Sequence, residues 1–184
     1  RKQLREALGL FNAAGWELEG GKLMKGGQQL SLELLLVQPD GQRVAAPFIQ
    51  NMKKAGINTT VRIVDSAQYQ VRVDDFDFDM ISARLNFFPP PGPELRSYYG
   101  STAADERGSA NMGGIKNPIA DQLIEQIINA ESLEKLQVTT RALDRVLLWN
   151  NYLIPQFYNA EHRIAHWNRF GKPEVLPKYI SYTG

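Results

Sequence analysis

Residues 30–64 constrain the fold more than any other stretch, because they set a helical pattern between two apolar strand patterns. In LSLELLLV, residues 30–37, Leu30, Leu32, Leu34 and Leu36 share one face, while the other turns from Ser31 and Glu33 to Leu35 and Val37. A strand that becomes apolar on both faces belongs inside a sheet. PDGQ at 39–42 reads as a turn, after which Ala45, Phe48, Ile49 and Met52 fall on one helical stripe. Pro47 fits only the first turn of that helix, where its missing N–H costs nothing, and Gly56 closes it. Residues 57–64, INTTVRIV, are β-branched and alternating. Strand, helix and strand with short connections make a parallel pair with a right-handed crossover.

The flanking sequence extends this unit. Leu4, Ala7, Leu8 and Phe11 predict a helix over 2–14 with Gly15 as its left-handed terminator, and glycine pairs at 20–21 and 26–27 bracket a hairpin-like segment. A second helix is expected over 66–75 and a third strand over 78–83. Asn117 and Pro118 form a cap and first-turn proline for a helix with Ala120, Leu123, Ile124, Ile127 and Ile128 on its apolar stripe. Ser132 caps another, with Leu136, Leu143, Val146, Leu147 and Asn150 facing inward. Pro155 ends the helices, and IPQFYNAEHRIAHW reads as an extended return strand. The three tryptophans, Trp16, Trp149 and Trp167, are read as packing residues. The expected architecture is α/β, a mixed and mostly parallel sheet with flanking helices.

Composition narrows the function. Net charge is +1, from 21 basic and 20 acidic residues, which gives no electrostatic footprint for nucleic acid. Absence of cysteine removes disulfides, thiolate metal sites and a cysteine nucleophile. No apolar run is long enough to span a membrane. GxSxG, the P-loop and GxGxxG are all absent. His162 and His166 stand four apart on a strand-like stretch, where that spacing does not converge on a metal, and Asp74, Asp75, Asp77 and Asp79 lack the spacing and closing Glu of a calcium loop. No catalytic residue, metal or cofactor is expected.

LFNAAGWELEGGKLMKGGQQLSLELLLVQ resembles the start of the C-terminal lobe of family 5 extracellular solute-binding proteins, the peptide- and oligopeptide-binding components of ABC importers. FDMI, PPPGPELRSYYGS, SANMGGIKNP, ADQLIEQI and IPQFYNAEHRIAHWNRFGKPEVLPKY, in that order, are similar to its YejA-like branch. The resemblance implies a type II-like periplasmic binding protein lobe over 1–156, and a hinge or return segment over 157–184 that packs on an N-terminal lobe. It implies a periplasmic protein whose signal peptide lies upstream, a peptide or peptide-like ligand, and ABC permease subunits as partners of the full-length protein.

By that resemblance the ligand edge is residues 83–88, where main-chain pairing supplies affinity and pockets set selectivity. Arg84 could meet a peptide carboxylate, Asn86 a backbone amide, and Phe87 or Phe88 could wall a side-chain pocket; alternatively Leu85 and Phe87 are core and Arg84 a solvated charge. Oligopeptide binders carry a Trp-containing turn with an Asp for the peptide's amino terminus, whereas Leu85 and Phe88 stand there in this chain. Asn111, Met112 and Gly113 precede the Asn117–Pro118 helix start, where backbone N–H groups could receive a carboxylate or simply form a cap. Tyr158 and His162 share a face of the return strand, toward ligand or toward the other lobe. In the proline loop, the YejA-like motif keeps Pro91, Gly92, Glu94 and Arg96 but has Pro93 and Leu95 at its other two positions, and a Glu94–Arg96 ion pair is expected to hold it. Two other classes stay open: a lobe of a hydrolase or transferase with its catalytic residues upstream, and an interaction module using the proline-rich loop.

Overall fold

The computed structural model describes residues 2–85, 90–156, 165, 167 and 169. Helix α1, Lys2–Ala13, ends where Gly15 adopts φ 81°, a conformation that only glycine takes without strain. Three short strands follow, β1 (Glu17–Glu19), β2 (Lys22–Lys25) and β3 (Gln28–Gln29), joined as an antiparallel ribbon in the order β1-β2-β3. Leu23 is its buried anchor and packs with Ala55 and Ile57, against which Leu4, Phe11, Trp16, Leu30, Leu32 and Met52 close.

The predicted strand–helix–strand unit is present as β4 (Ser31–Leu36), α2 (Pro39–Lys54) and β5 (Asn58–Ile63), followed by α3 (Ser66–Asp74) and β6 (Met80–Ile81). These strands form a parallel sheet in the order β5-β4-β6. Leu34, Leu35 and Leu36 are all buried, so central β4 is covered on both faces. Leu32 and Leu36 lie on the α2 side, where Met52 and Gly41 approach them, and Glu33 lies on the α3 side, paired with Arg72 at 3.0 Å. Opposite-face helices on a sheet whose order reverses are the doubly wound arrangement.

Several local expectations change. PDGQ is not a turn but the first turn of α2, which starts on Pro39 with Asp40 behind it, both favourable at a helix start. Pro47 therefore lies inside the helix, and the carbonyl of Arg43 loses its intrahelical donor. The parallel and antiparallel strands form two separate sheets rather than one mixed sheet. The third strand shrinks to two residues.

The helical part comprises α4 (Leu95–Tyr99), a 3₁₀ turn (Thr102–Asp105), α5 (Pro118–Ile128) and α6 (Leu133–Trp149). Asn117 caps α5 by accepting from the N–H groups of Ile119 and Ala120, and Ser132 Oγ accepts from Lys135 N–H at 3.2 Å to cap α6. Leu95, Tyr99, Ile115, Ala120, Ile124, Ile127 and Leu143 form the buried core, with Leu136, Val146 and Leu147 packed on it. Asn150 is not inward: it is exposed, and its Nδ2 donates to the Val146 carbonyl at 2.7 Å. Trp149 and Trp167 are 84% and 75% exposed, so only Trp16 packs as expected. Two compact units result, Arg1–Tyr152 and Leu153–Gly184.

Candidate functional site

From β4 the chain crosses to β5 on one side, then returns past β4 to β6 on the other. The winding direction reverses between β4 and β6. In open α/β sheets such a reversal leaves a crevice outside the strands' carboxyl ends, since the two following connections leave toward opposite faces. Val37 and Gln38 follow β4, and residues 82–85 follow β6, at this reversal. Val37 and Leu85, in those two connections, are 37% and 38% exposed.

β6 is fixed at its amino side and released at its carboxyl side. Met80 and Ile81 pair with Leu34 and Leu35, and Asp79 Oδ2 accepts the Glu33 N–H at 2.8 Å. Three residues beyond Ile81, Arg84 is exposed, and among the described residues no carboxylate pairs with it. A guanidinium left without a carboxylate can offer two parallel N–H donors to a ligand carboxylate. Asn86, Phe87, Phe88, Tyr158, His162 and His166 lie outside the described residues, and the described residues of the expected return strand, 154–156, 165 and 167, are not in a strand.

The 111–113 loop is built differently. Asn111 is fully buried, and its Nδ2 donates to the carbonyls of Gly100 at 3.0 Å and Ile115 at 2.9 Å while its Oδ1 accepts the Ile115 N–H at 2.9 Å. Both amide protons are thereby committed inside the protein, so this side chain braces the loop rather than reaching outward. Met112 is half-buried, and Gly113 is exposed. The segment leading into this loop is tied to the far end of the sheet. Gly108 N–H donates to the Asp74 carbonyl at 2.9 Å, and Arg107 Nε meets Asp75 Oδ1 at 2.6 Å, both at the C-terminus of α3. Among the described residues no hydrogen bond or ion pair joins Arg84 or Leu85 to residues 111–113.

Other polar groups around α4 and α5 also serve the frame. The expected Glu94–Arg96 pair does not form. Glu94 Oε1 accepts the Gly92 N–H at 2.8 Å, and Arg96 grips Glu125 of α5 through Nε and Nη2 at 2.6 and 2.7 Å. That hydrogen bond, and the charge beside it, hold the Glu125 carboxyl below its ordinary range. Asp121 accepts from Ser101 N–H at 2.8 Å and from its Oγ at 2.6 Å. Burial pushes the Tyr99 phenol up to about 12, with Tyr98 and Asp144 adding to it, so it stays protonated in the core. Val37, Gln38 and the Asn111 brace were not singled out from the sequence. Strand order would have revealed the first two, and no local signal marks the third.

A shallow groove lies elsewhere, beside the β5 edge, between Arg62 and Val64 on one side and Ala67, Gln68, Val71 and Arg72 of α3 on the other. Among the described residues no group of three ligating side chains could hold a metal, and no helix is long and apolar enough to cross a membrane.

The sequence model for bacterial extracellular solute-binding proteins, family 5 middle, matches residues 1–106. A probable peptide-binding protein YejA of Agrobacterium fabrum is 45% identical over 97% of this chain and 30% of its own length. A peptidoglycan-binding protein YepA of the same organism is 34% identical over 96% of this chain and 29% of its own. The chain thus spans under a third of the length of the curated relatives it matches. The oligopeptide-binding protein AppA of Bacillus subtilis, solved with a nonapeptide, superposes with a TM-score of 0.70 at 21% identity, over 80% of this chain and 30% of AppA. That likeness carries the type II-like binding-protein fold, and the fold agrees with the doubly wound sheet described above. The match over residues 1–106, more than half of the chain, shows that it belongs to the family 5 bacterial extracellular solute-binding proteins.

Proposed function

We propose that this chain is the C-terminal lobe of the solute-binding component of an ABC importer, which captures a peptide or peptide-like solute in the periplasm and delivers it to permease subunits. It breaks no bond and needs no cofactor. The observation that carries the reading is the unpaired Arg84 beside exposed Leu85 at the point where the sheet reverses its winding. A peptide's charged carboxylate meets the guanidinium, an apolar side chain meets Leu85 and Val37, and the extended backbone continues along the segment that follows β6. Asn86, Phe87 and Phe88 extend that ligand edge, and Tyr158 and His162 belong to the return segment over 157–184, at the hinge toward the second lobe. Met112 and Gly113 contribute backbone from the braced loop. Lobe closure then removes the ligand from water. The isolated chain holds ligand weakly, because one wall cannot desolvate a peptide.

The relative named as peptide-binding supports this reading, and the one named as peptidoglycan-binding is the reason to try a cell-wall fragment as well. The test is native mass spectrometry of the full-length protein mixed with a peptide pool that includes a muropeptide. Retained peptide is expected, with roughly tenfold loss of affinity in Arg84→Ala, a change of about 1.4 kcal/mol. An empty protein that instead turns over a chromogenic ester or amide would overturn the proposal.

A further inference from the structure

Within the Arg1–Tyr152 unit the apolar packing is divided. One core gathers its residues from 4–57, around Leu23, Ala55 and Ile57, the other from 95–152, around Ile115, Ile124 and Leu143, and the two share no residue. Polar contact between the two halves is concentrated in one place. Among the described residues, the hydrogen bonds and ion pairs that join 2–85 to 90–152 lie at the C-terminal end of α3, where Gly108 N–H meets the Asp74 carbonyl and Arg107 Nε meets Asp75 Oδ1.

From that joint to the 111–113 loop the chain has little slack. Ser109 N–H donates to the Glu106 carbonyl at 3.0 Å, Ser109 Oγ donates to the Ala103 carbonyl, and Asn111 N–H donates to Ser109 Oγ at 3.3 Å. Asn111 is in turn fastened to Gly100 and Ile115. With hydrogen bonds at successive residues, a turn at Arg107 and Gly108 is carried on to Met112 and Gly113 and is not taken up in between. We infer that Arg107 is a positioning residue: paired with Asp75, it sets the 111–113 loop relative to the parallel sheet, and so relative to Arg84, for a ligand that touches both. This role rests on the ligand reading given above.

The geometry gives the pair its task. The single hydrogen bond from Gly108 to Asp74 is a pivot, and a second contact at the neighbouring residue removes part of the rotation about it. The two side chains are 65% and 47% exposed, so the pair adds little to stability in water. Position and stability can therefore be separated by experiment.

The chain contains no cysteine, so cysteines placed at exposed Gln50 on α2 and exposed Gln137 on α6 carry spin labels at defined sites, one in each half. The distance distribution between the labels is expected to be narrow in the parent chain and to broaden or shift in Arg107→Glu, which sets like charges across the joint. The exchanged pair Arg107→Glu with Asp75→Arg is expected to restore it, and the urea midpoint is expected to stay nearly constant throughout. In the full-length protein, native mass spectrometry with the same peptide pool is expected to show affinity falling roughly fivefold in Arg107→Glu and returning in the exchanged pair. A guanidinium that touched the ligand itself would not be replaced by a carboxylate in this way. Arg107→Gln, which removes the charge alone, gives the same readings should the reversed charge unfold the chain. Label distances that the Arg107 variants leave unchanged overturn the inference whether or not peptide binds. Affinity that holds at the parent level while the distances change also overturns it, as does a loss that the exchanged pair leaves in place. A parent protein that retains no peptide removes the ligand reading and the positioning role with it, and the label distances, which need no ligand, then show whether the joint itself holds.

Discussion

The two ends of the described molecule are held in opposite ways. After β6 the chain leaves the sheet with an unpaired arginine and an exposed leucine, and no described side chain clamps it. From α4 to α5 the polar groups are spent on one another: Asn111 on Gly100 and Ile115, Asp121 on Ser101, and Arg96 on Glu125. A polar residue whose bonds are all satisfied inside the protein rigidifies, whereas one left open can still form bonds to a ligand. Asparagine and arginine thus have different value in the two places, although in sequence they look alike.

The largest expected effect breaks the comparison if it fails. Asn111→Ala leaves the Ile115 N–H and carbonyl without a partner, while the Gly100 carbonyl keeps the Ala103 N–H at 3.1 Å; with each orphaned group costing about 1–3 kcal/mol, a loss of roughly 4 kcal/mol is expected in urea unfolding. Arg84→Ala removes an exposed, unpaired side chain and is expected to stay within about 0.5 kcal/mol. If Asn111→Ala were as mild as Arg84→Ala, the bracing role would be wrong.

The second effect shows that the sheet is braced too, but at its other end. Gly56 has φ 84°, and a Cβ there would stand 2.7 Å from Leu18 Cδ1 and 2.8 Å from Leu23 N. Its carbonyl accepts the Leu23 N–H at 2.8 Å, which stitches the end of α2 to the antiparallel ribbon. Gly56→Ala therefore combines a left-handed strain with overpacking and is expected to cost about 3 kcal/mol, measured by thermal unfolding. This contact, with the Leu30 N–H donating to the Leu23 carbonyl at 2.9 Å, ties the amino ends of β4 and β5 to the ribbon.

How much of this was legible follows from what kind of information each feature needs. Strand β4, strand β5 and the caps of α5 and α6 are local: alternation, β-branching, Asn117-Pro118 and Ser132 suffice. The start of α2 is not legible locally, because Pro, Asp and Gly signal turns as well as first helical turns, and only the packing of α2 on β4 and β5 decides between them. Glu94 and Arg96 looked like a pair from proximity in sequence, yet residues two apart do not face one another once α4 forms at Leu95. The placement of Val37, Gln38 and Arg84 at the sheet's reversal depends on strand order, and Asn111's brace on contacts eleven residues away at Gly100. Neither is written in any short window of sequence.

The smallest effect sharpens the comparison through pH. The bidentate hydrogen bond from Arg96, with its charge, lowers the Glu125 carboxyl from an ordinary value of about 4.3. A carboxyl held lower in the folded state binds fewer protons than it does unfolded, so its contribution to stability is complete above the ordinary value and is lost as pH falls through the folded one. Acid titration is therefore expected to loosen the α4–α5 contact below about pH 4. Both side chains are about half exposed, so solvent and salt screen the pair and the effect is small. Glu125→Gln should flatten that acid limb of the unfolding midpoint and leave the midpoint at neutral pH nearly unchanged. An acid limb identical in the variant would show that the clamp rests on Asn111 and Asp121 alone, and that the Arg96 pair adds charge to the surface without adding rigidity to the frame.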